Sequence, residues 1–381
     1  MKILFVSSAP LEYGSSSNMR NIALLKGFVD NGYKVYTLTP EPQKESALYD
    51  ESICDIEIEK KYFIPLGAIH SAVTMKKNKK SKIKNYIYNI VKKFKIYDFR
   101  SDLAKREIKI EEEFDIMISS SDPKSSHLIA EKLKRNNPNI TKKWIQYWGD
   151  PFADDINNKG YVPKWIIKKE EKRLISIADY VLYVSPFTQK KQQTLYMQQS
   201  EKMLFLPIPY KEPIIYEKTN NMNRKLGYFG EYYTRNRNIL PLYNVCNEKN
   251  EITLNISGNS DLELKETHNI NIYKRLSVKE MRELEKTMDA LICICNKNGT
   301  QIPGKVYHYS ATNKPIIIIL DGSERKKMKE YFDSFNRFIV CENDEKSIKN
   351  VLDKLEEDNT EYVPLDNLLP KNIVKSLLEK I

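Results

Sequence analysis

Short aliphatic runs alternate with helical patterns along almost the whole chain, and a proline-rich stretch interrupts this alternation once. A buried strand, a helix and another strand form a βαβ unit, which places parallel strands in one sheet with helices on its faces. Before the interruption the predicted strands are residues 3–7, 34–38, 56–58, 114–120, 143–148, 180–184 and 202–206. After it they are residues 226–230, 252–256, 270–273, 290–295, 315–320 and 338–341. The sequence therefore predicts two doubly wound α/β domains.

The interruption has the composition of a linker between domains. Residues 206–213 contain three prolines, and a polar run follows at residues 217–224. We therefore expect an N-terminal domain at residues 1–207, a linker at 208–223 and a C-terminal domain at 224–364. The terminal helix within residues 365–381 could pack back on the first domain. A chain of 381 residues is long enough to bury two cores.

The composition is typical of a soluble globular protein. Hydrophobic residues make up 41% of the chain and charged residues 30%, and no apolar run approaches the roughly 18 residues of a membrane span. The apolar run that opens the chain is too short for a signal peptide and fits a first buried strand. Five cysteines, mostly within apolar runs, predict reduced core thiols and a cytoplasmic protein. The four histidines are scattered, so we expect no tightly bound metal or cofactor.

The net charge of +11 is concentrated in one segment. Residues 75–97 contain nine lysines and no acid, interleaved with apolar residues at helical spacing. Three interpretations compete: a solvated helix packed on its own domain, a helix that binds an anionic membrane surface, and a nucleic-acid site. We favour the first, then the membrane surface, and we expect no nucleic-acid partner.

Residues 301–320 join a glycine-containing loop, a short helix and an all-aliphatic strand. Pro303 and Gly304 suit a loop that approaches a ligand closely, and Lys305 opens a helix predicted to reach about Thr312. A helix N-terminus with a lysine beside it attracts anions. An ordinary passage from helix to strand would look the same locally, so that alternative stays open.

Other candidate residues follow predicted strands, where ligands of open parallel sheets bind. Asp122 and Asp150 each precede a proline, and His127 lies a few residues further on. Such aspartates are often turn or cap residues, and the alternative is contact with a sugar. The loop after the first strand contains Gly14, Ser15 and Asn18, and the loops of the second domain contain Gly230, Arg235, Arg237, Ser257 and Gly258.

The chain resembles bacterial glycosyltransferases of the GT-B fold, most closely the retaining, family 4-like enzymes of surface-polysaccharide synthesis. The resemblance rests on residues 1–40, 114–152 and 227–238, and above all on Pro303, Lys305, His308, Tyr309, Ala311 and the run from Lys314 to Ile317. In that family, the helix that corresponds to the one predicted to begin at Lys305 usually carries two glutamates. The second of them holds the ribose of the sugar nucleotide. This chain has Thr300 and His308 at those positions, and Glu231 where an arginine is usual.

The resemblance implies two Rossmann-like domains facing across a cleft, with the acceptor on the N-terminal side and the donor on the C-terminal side. It implies a hexosyltransferase-like enzyme that moves a sugar, with retention, from a UDP- or GDP-sugar to a hydroxyl of a glycan or lipid-linked acceptor. Arg237 and Lys305 would stabilise the departing pyrophosphate, and Asp150 would contact the donor sugar or the acceptor hydroxyl. The expected donor-side residues are Gly14, Ser15, Gly230, Arg235, Ser257, Gly258, Pro303, Gly304 and His308, and the acceptor-side residues are Asn18, Asp122 and His127.

The implied setting is capsule or lipopolysaccharide synthesis in the cytoplasm, with a peripheral position on the inner face of the cell membrane as a variant. Two other functions stay open. Another GT-B enzyme, such as a nucleotide-sugar 2-epimerase or an inverting transferase, would need a general base, and His127 or Asp150 could serve. A catalytically degenerate subunit would fit the missing glutamates, whereas the retained Lys305, Arg235 and Arg237 favour the transferase.

Overall fold

The computed structural model describes residues 1–66, 93–156, 160–219 and 222–381, and it divides the chain into two compact units. The first unit comprises Met1–Lys211 and Pro370–Ile381, and the second comprises Glu212–Leu369. Residues 75–92 of the basic segment lie outside the described residues, so the interpretations of that segment stay predictions.

The first unit is built on a parallel sheet that has seven strands among the described residues. Its spatial order is β3-β2-β1-β4-β5-β6-β7. The strands are β1 (Lys2–Val6), β2 (Lys34–Pro40), β3 (Lys60–Ile64), β4 (Phe114–Ser120), β5 (Thr141–Trp148), β6 (Tyr180–Tyr183) and β7 (Met203–Phe205). The helices of its continuous part are α1 (Ser16–Asp30), α2 (Ser125–Asn136), α3 (Lys164–Ile177) and α4 (Pro186–Leu195), with 3-10 turns at Glu51–Ile53, Phe99–Lys105 and Met197–Lys202.

The second unit repeats this plan with a parallel sheet of six strands in its described part. The order is β10-β9-β8-β11-β12-β13. The strands are β8 (Arg224–Phe229), β9 (Ile252–Ser257), β10 (Ile270–Tyr273), β11 (Ala290–Ile294), β12 (Ile316–Leu320) and β13 (Ile339–Glu342). The helices are α5 (Leu240–Glu248), α6 (Val278–Thr287), α7 (Gly304–Tyr309), α8 (Arg325–Asp333) and α9 (Glu345–Glu356), with a 3-10 turn at Asp366–Leu368.

The C-terminal helix α10 (Pro370–Leu378) belongs to the first unit and packs against α1. A side chain at Gly27 would overlap the Pro370 carbonyl, so the two helices approach at a position where only glycine fits. The Asn31 side-chain amide, at the end of α1, donates to the Lys371 carbonyl at 3.0 Å. These contacts attach the end of the chain to the first sheet's helical layer.

Both sheets have the buried strands that the aliphatic runs predict. All five residues of β11 and all five of β12 are buried, because helices cover both faces of a parallel sheet. The five cysteines are free thiols, and Cys293 and Cys295 are both buried. No helix in the described ranges is both long and apolar enough to cross a membrane.

Three local predictions are wrong. Residues 56–58 are not a strand; β3 begins at Lys60 and is an edge strand whose first two residues are exposed lysines, so it lacks an aliphatic signature. The charge pattern near residues 100–113 predicts a helix, but these residues form only the 3-10 turn Phe99–Lys105 followed by irregular chain. Helix α7 ends at Tyr309 rather than Thr312, since Ser310 and Thr312 bond back to backbone carbonyls and close the last turn.

Candidate active site

Each sheet changes the direction of its strand order once, between β1 and β4 in the first unit and between β8 and β11 in the second. Loops at the carboxyl ends of such strand pairs diverge to opposite faces and leave a crevice, which is where open α/β sheets bind ligands. The candidate residues fall into two groups, one at each of these points.

In the first unit, the loop after β1 is joined to the start of α2. The Ser8 backbone N–H donates to Ser126 Oγ at 2.9 Å, and the Ser8 and Ser125 hydroxyls lie 3.0 Å apart. These three serines are buried. They fix the β1 loop to the β4 loop, so the residues between β4 and α2 have a defined position at the crevice.

Arg20 of α1 reaches across this point. Its guanidinium donates to the Ser121 carbonyl and lies over the Tyr147 ring, 4.9 Å from the ring centroid. A side chain at Gly149 would overlap the guanidinium, so this position must remain glycine for the arginine to lie there. Arg20 thus places a buried positive charge beside Asp150.

Asp150 is partly exposed and lies in a cluster of charged side chains at the carboxyl end of β5, together with the buried Lys124 and Arg20. The pKa of Asp150 is raised from 3.8 to about 7, chiefly by burial and also by Asp122 and Asp155, while Lys124 and Arg20 act in the opposite direction. Lys124 forms an ion pair with Asp122, and its ammonium lies 5.6 Å from the centroid of the Trp148 ring. Near neutral pH the Asp150 carboxyl can therefore either donate or accept a hydrogen bond.

His127 lies inside the unit, beneath this cluster. The Trp144 indole N–H donates to Ser119 Oγ at 2.9 Å, and Ser119 Oγ lies 2.8 Å from His127 Nδ1. The imidazole stacks on Trp148 with ring centroids 4.7 Å apart. Burial and the nearby Lys124 hold the pKa of His127 well below 6.5, so the ring is neutral. The geometry gives His127 a packing role under Lys124 and Trp148.

The chain that follows Asp150 is held by a buried carboxylate. Glu171 of α3 accepts from the backbone N–H of Phe152 at 2.6 Å and of Ala153 at 3.4 Å, and from the Tyr196 hydroxyl at 2.8 Å. Asp154, next along the chain, pairs with lysines on both neighbouring helices, Lys164 of α3 and Lys191 of α4. The loop that carries Asp150 is therefore well anchored.

The loop after β1 uses its predicted ligand residues for its own structure. Ser15 caps α1, and its hydroxyl accepts from the Asn18 backbone N–H at 3.2 Å. The buried Asn18 amide donates to the carbonyls of Pro10 at 2.7 Å and Tyr13 at 2.8 Å. The Gly14 N–H donates to the Leu48 carbonyl at 2.7 Å. Ser15 and Gly14 remain partly exposed, whereas Asn18 is buried.

In the second unit, two glycines bring the β8 and β9 loops into contact. The Gly230 N–H donates to the Ser257 carbonyl at 2.9 Å. Gly258 has φ +156°, and a side chain there would overlap the Gly230 carbonyl oxygen. The Ser257 hydroxyl is turned to the Lys274 carbonyl at 3.0 Å. Because both residues are glycines, no side chain of theirs covers the backbone at the carboxyl end of β8, as a site for a phosphate requires.

Arg237 lies at the crevice between β8 and β11. Its Nε donates to Asn296 Oδ1 at 2.9 Å and its Nη1 donates to the Glu231 carbonyl at 3.2 Å. Asn296 follows β11 and in turn donates to the Gln301 carbonyl at 3.2 Å. The guanidinium is therefore oriented by residues of both loops, while Arg235 of the same loop is exposed.

Pro303 and Gly304 begin α7, and Lys305 and His308 lie on it. The Lys305 ammonium lies 3.5 Å from Glu285 Oε1 of α6. The pKa of His308 is lowered from 6.5 to about 4, chiefly by burial and also by the positive charges of Lys305 and Arg282, so His308 is neutral near pH 7. A neutral imidazole can accept or donate a hydrogen bond, which is the chemistry a ribose hydroxyl needs.

The structure brings together residues that the sequence left apart. Arg20 and Lys124 join Asp122 and Asp150, and Asn296 joins Arg237. The sequence offered only the residue types, with Lys124 and Asn296 following strands and Arg20 lying within a helix, because the contacts depend on tertiary packing. Across the described ranges, no group of three or more His, Cys, Asp and Glu side chains is arranged to hold a metal ion.

Comparison with solved structures identifies the fold. The catalytic domain of starch synthase IV from Arabidopsis thaliana, bound to ADP and acarbose, superposes with a TM-score of 0.60 at 9% identity, covering 100% of this chain and 98% of that one. HepE from Anabaena, in complex with UDP and glucose, gives 0.55 at 11% identity, covering 100% and 95%. A UDP-N-acetylglucosamine 2-epimerase gives 0.52 at 10% identity, covering 99% and 95%. No family model and no curated protein matches the sequence.

The chain is thus an α/β protein of two doubly wound, Rossmann-like domains. More specifically, it has the GT-B fold, which confirms the fold predicted from the sequence. A starch synthase and an epimerase share this fold, so the fold alone does not define the function.

Proposed function

We propose that the protein is a glycosyltransferase that moves a sugar from a nucleoside-diphosphate sugar to a hydroxyl of a glycan or lipid-linked acceptor. The observation that carries the proposal is the arrangement of Arg237 at the crevice between β8 and β11, next to the bare backbone of Gly230 and Gly258. A guanidinium held by two loops beside glycine backbone that no side chain covers suits a pyrophosphate. Two neighbours of the same fold are described as complexes with UDP and glucose or with ADP and acarbose, which supports a sugar nucleotide as donor.

The proposed donor side lies in the second unit, which would be the nucleotide-sugar domain. Arg237 and Lys305 would offset the charge that develops on the departing UDP or GDP, and this electrostatic contribution is commonly the largest one in group transfer. Arg235 is exposed on the same loop and could reach a phosphate. Gly304 and Pro303 would border the nucleotide, and His308 would contact the ribose.

The proposed acceptor side lies in the first unit, with Asp122 and Asp150 at its crevice. Asp150 would contact the donor sugar or the acceptor hydroxyl, since a carboxyl with a pKa of about 7 can exchange a proton with a hydroxyl at neutral pH. We propose transfer with retention, in which a donor phosphate oxygen takes the acceptor proton. Capsule or lipopolysaccharide synthesis is the proposed setting.

A second candidate function is epimerisation of a nucleotide sugar. The raised pKa of Asp150 favours it, because such a carboxyl is suited to act as a general base. An epimerase of the same fold is among the structural neighbours. The two functions share the nucleotide site and differ in the product.

An anionic membrane surface is a proposed partner of the first unit. Three aromatic side chains are exposed: Phe94 of the basic segment by 65%, Tyr161 by 61% and Trp165 by 68%. The Phe94 and Tyr161 rings lie 5.3 Å apart, and the Lys93 ammonium lies 5.2 Å from the Tyr161 ring centroid. Aromatic rings flanked by lysines suit the interface of a bilayer with acidic headgroups.

A thermal-shift panel tests the nucleotide site. The melting temperature is measured with UDP, GDP, CMP and their common sugar conjugates, for the wild type and for Arg237→Ala and Lys305→Ala. Lys349→Ala, an exposed lysine of α9, is the matched control. We expect one diphosphate to stabilise the wild type and the control, and this effect to be lost in Arg237→Ala and Lys305→Ala. Failure of every nucleotide to stabilise the wild type would leave a catalytically degenerate binding subunit as the better account.

A further inference from the structure

The ammonium of Lys305 is covered by helix α6. It lies 2.8 Å from Met281 Sδ and 3.5 Å from Glu285 Oε1, and these two residues are one helical turn apart. On the other side it lies 5.4 Å from the centroid of the Tyr309 ring. Positions i and i+4 of α6 thus face the lysine together.

These contacts satisfy the charge of Lys305 only in part. A thioether is a weak acceptor, and 3.5 Å is longer than the 2.7–2.9 Å of a charge-assisted hydrogen bond. Glu285 is only 6% exposed, and the Lys305 side chain is 27% exposed. A buried charge without a counter-ion is costly, so Glu285 offsets the charge while leaving hydrogen-bond donors of the ammonium available for a stronger acceptor.

We propose that Glu285 is the internal counter-ion of Lys305, which keeps the ammonium charged while the site is empty and yields it to a phosphate oxygen when a nucleoside diphosphate binds. The second half of this statement rests on the proposed function; the first half does not. Glu285 is thereby a positioning residue, since it acts on the phosphate through Lys305.

Charged and titratable groups reach Lys305 from each surrounding element. Helix α6 contributes Glu285 and Arg282, strand β11 contributes Cys293, and α7 contributes His308. Burial lowers the pKa of Lys305 and Arg282 lowers it too, whereas Glu285 and Cys293 raise it. Because Glu285 is the largest of the groups that hold the lysine charged, removal of its charge lowers the pKa of Lys305 further.

The first test measures the lysine itself. Reductive methylation with ¹³C-formaldehyde preserves the charge, and the NMR signal of Lys305, assigned by its absence in Lys305→Arg, is titrated with pH. We expect Glu285→Gln to lower the titration midpoint by about 1 pH unit. Glu283→Gln removes an exposed carboxylate of the same helix and should leave the midpoint unchanged. An unchanged midpoint in Glu285→Gln would overturn the proposal.

Glu285→Asp keeps the charge and covers the case in which Glu285→Gln does not fold. We expect its midpoint to lie closer to that of the wild type than to that of the amide variant. A midpoint in Glu285→Asp as low as, or lower than, that of a folded Glu285→Gln would count against a role for the carboxylate charge. Circular dichroism at each pH checks that the variants are folded.

The second test measures anion binding by calorimetry between pH 6.5 and pH 9.5, with UDP and inorganic pyrophosphate as probes. At a pH below both lysine midpoints measured in the first test, Glu285→Gln should bind about 3–10-fold more tightly because the competing carboxylate is gone. As the pH is raised, the affinity of Glu285→Gln should begin to fall at a lower pH than that of the wild type. This alkaline loss should be absent in Lys305→Met, with or without Glu285→Gln.

The outcomes separate the two claims. If the lysine midpoint shifts but the wild type binds neither probe, Glu285 is a counter-ion and the release to phosphate is refuted, together with the nucleotide site at Lys305. If the wild type binds a probe and Glu285→Gln shows neither the tighter binding nor the earlier alkaline loss, the positioning role is refuted and the proposed function stands.

Discussion

The charge cluster at the carboxyl end of β5 predicts that Asp150→Asn stabilises the first unit at neutral pH. The pKa of Asp150 is raised from 3.8 to about 7, first by burial and then by Asp122 and Asp155. A raised pKa means that the folded protein holds a proton that the unfolded chain has released. The contribution of Asp150 to stability is therefore complete below pH 3.8 and is lost as the pH rises towards 7.

The magnitude follows from the shift. About 3 pKa units at about 1.4 kcal/mol each give a ceiling of about 4 kcal/mol for the stability lost between pH 3.8 and pH 7. Asparagine does not titrate, so the variant avoids this loss. Over the range from pH 4.5 to pH 8, we expect the free energy of unfolding of Asp150→Asn relative to the wild type to rise by about 2–3 kcal/mol.

Tryptophan fluorescence provides an assay specific to this unit, because the three tryptophans, Trp144, Trp148 and Trp165, all belong to it. Urea titrations at several pH values then report unfolding of the first unit. Asp154→Asn is a matched control of opposite sign: bonds to Lys164 and Lys191 overcome the effect of burial and lower the pKa of Asp154. Its loss should destabilise the unit above pH 4 and have little effect at lower pH.

A difference between Asp150→Asn and the wild type that does not change with pH would refute this reasoning. So would a wild type that becomes more stable than the variant at pH 8. In either case Asp150 would be an ordinary ionised surface acid. Under the proposed function, the same substitution should also lower transfer activity, because a residue kept for chemistry is often unfavourable for stability.

Three further predictions concern single residues. Gly258→Ala should lower the stability of the second unit by about 2 kcal/mol or more, seen as a lower thermal midpoint, because its side chain would overlap the Gly230 carbonyl; an unchanged midpoint would contradict the close approach. Glu171→Ala should lower the urea midpoint measured by tryptophan fluorescence, with a loss of about 2–4 kcal/mol, because three buried donors lose their acceptor; Tyr196→Phe, which leaves the two backbone bonds in place, should cost about 1 kcal/mol. Trp165→Ser should reduce sedimentation with vesicles containing anionic lipid several-fold and leave stability unchanged; equal sedimentation would remove this surface as a membrane contact.

The aliphatic runs were sufficient to predict both sheets, because strands buried on both faces carry a continuous apolar signature. Ile316–Leu320 is an example. The edge strand Lys60–Ile64 was misplaced because two of its five residues are exposed lysines. Helix α7 was predicted too long, since its end is set by side-chain bonds to the backbone that propensity does not describe.

The candidate site divides in the same way. Asp150 and Arg237 were found because they follow strands, and strand ends are where this class of sheet binds ligands. Arg20 and Glu285 were missed, although each contacts or faces a predicted residue. Both lie within helices, where a charged residue normally faces solvent, and only the tertiary packing turns them inward.

The most direct test of the central claim is product analysis by ¹H and ³¹P NMR. The protein is incubated with individual UDP- and GDP-sugars, with and without a lipid and glycan extract, and Arg237→Ala serves as the inactive control. We predict that one donor is converted to its nucleoside diphosphate, with the sugar joined to an acceptor in its original anomeric configuration. A donor changed at C2 would instead identify an epimerase, and no conversion of any donor in the presence of acceptor would contradict the account.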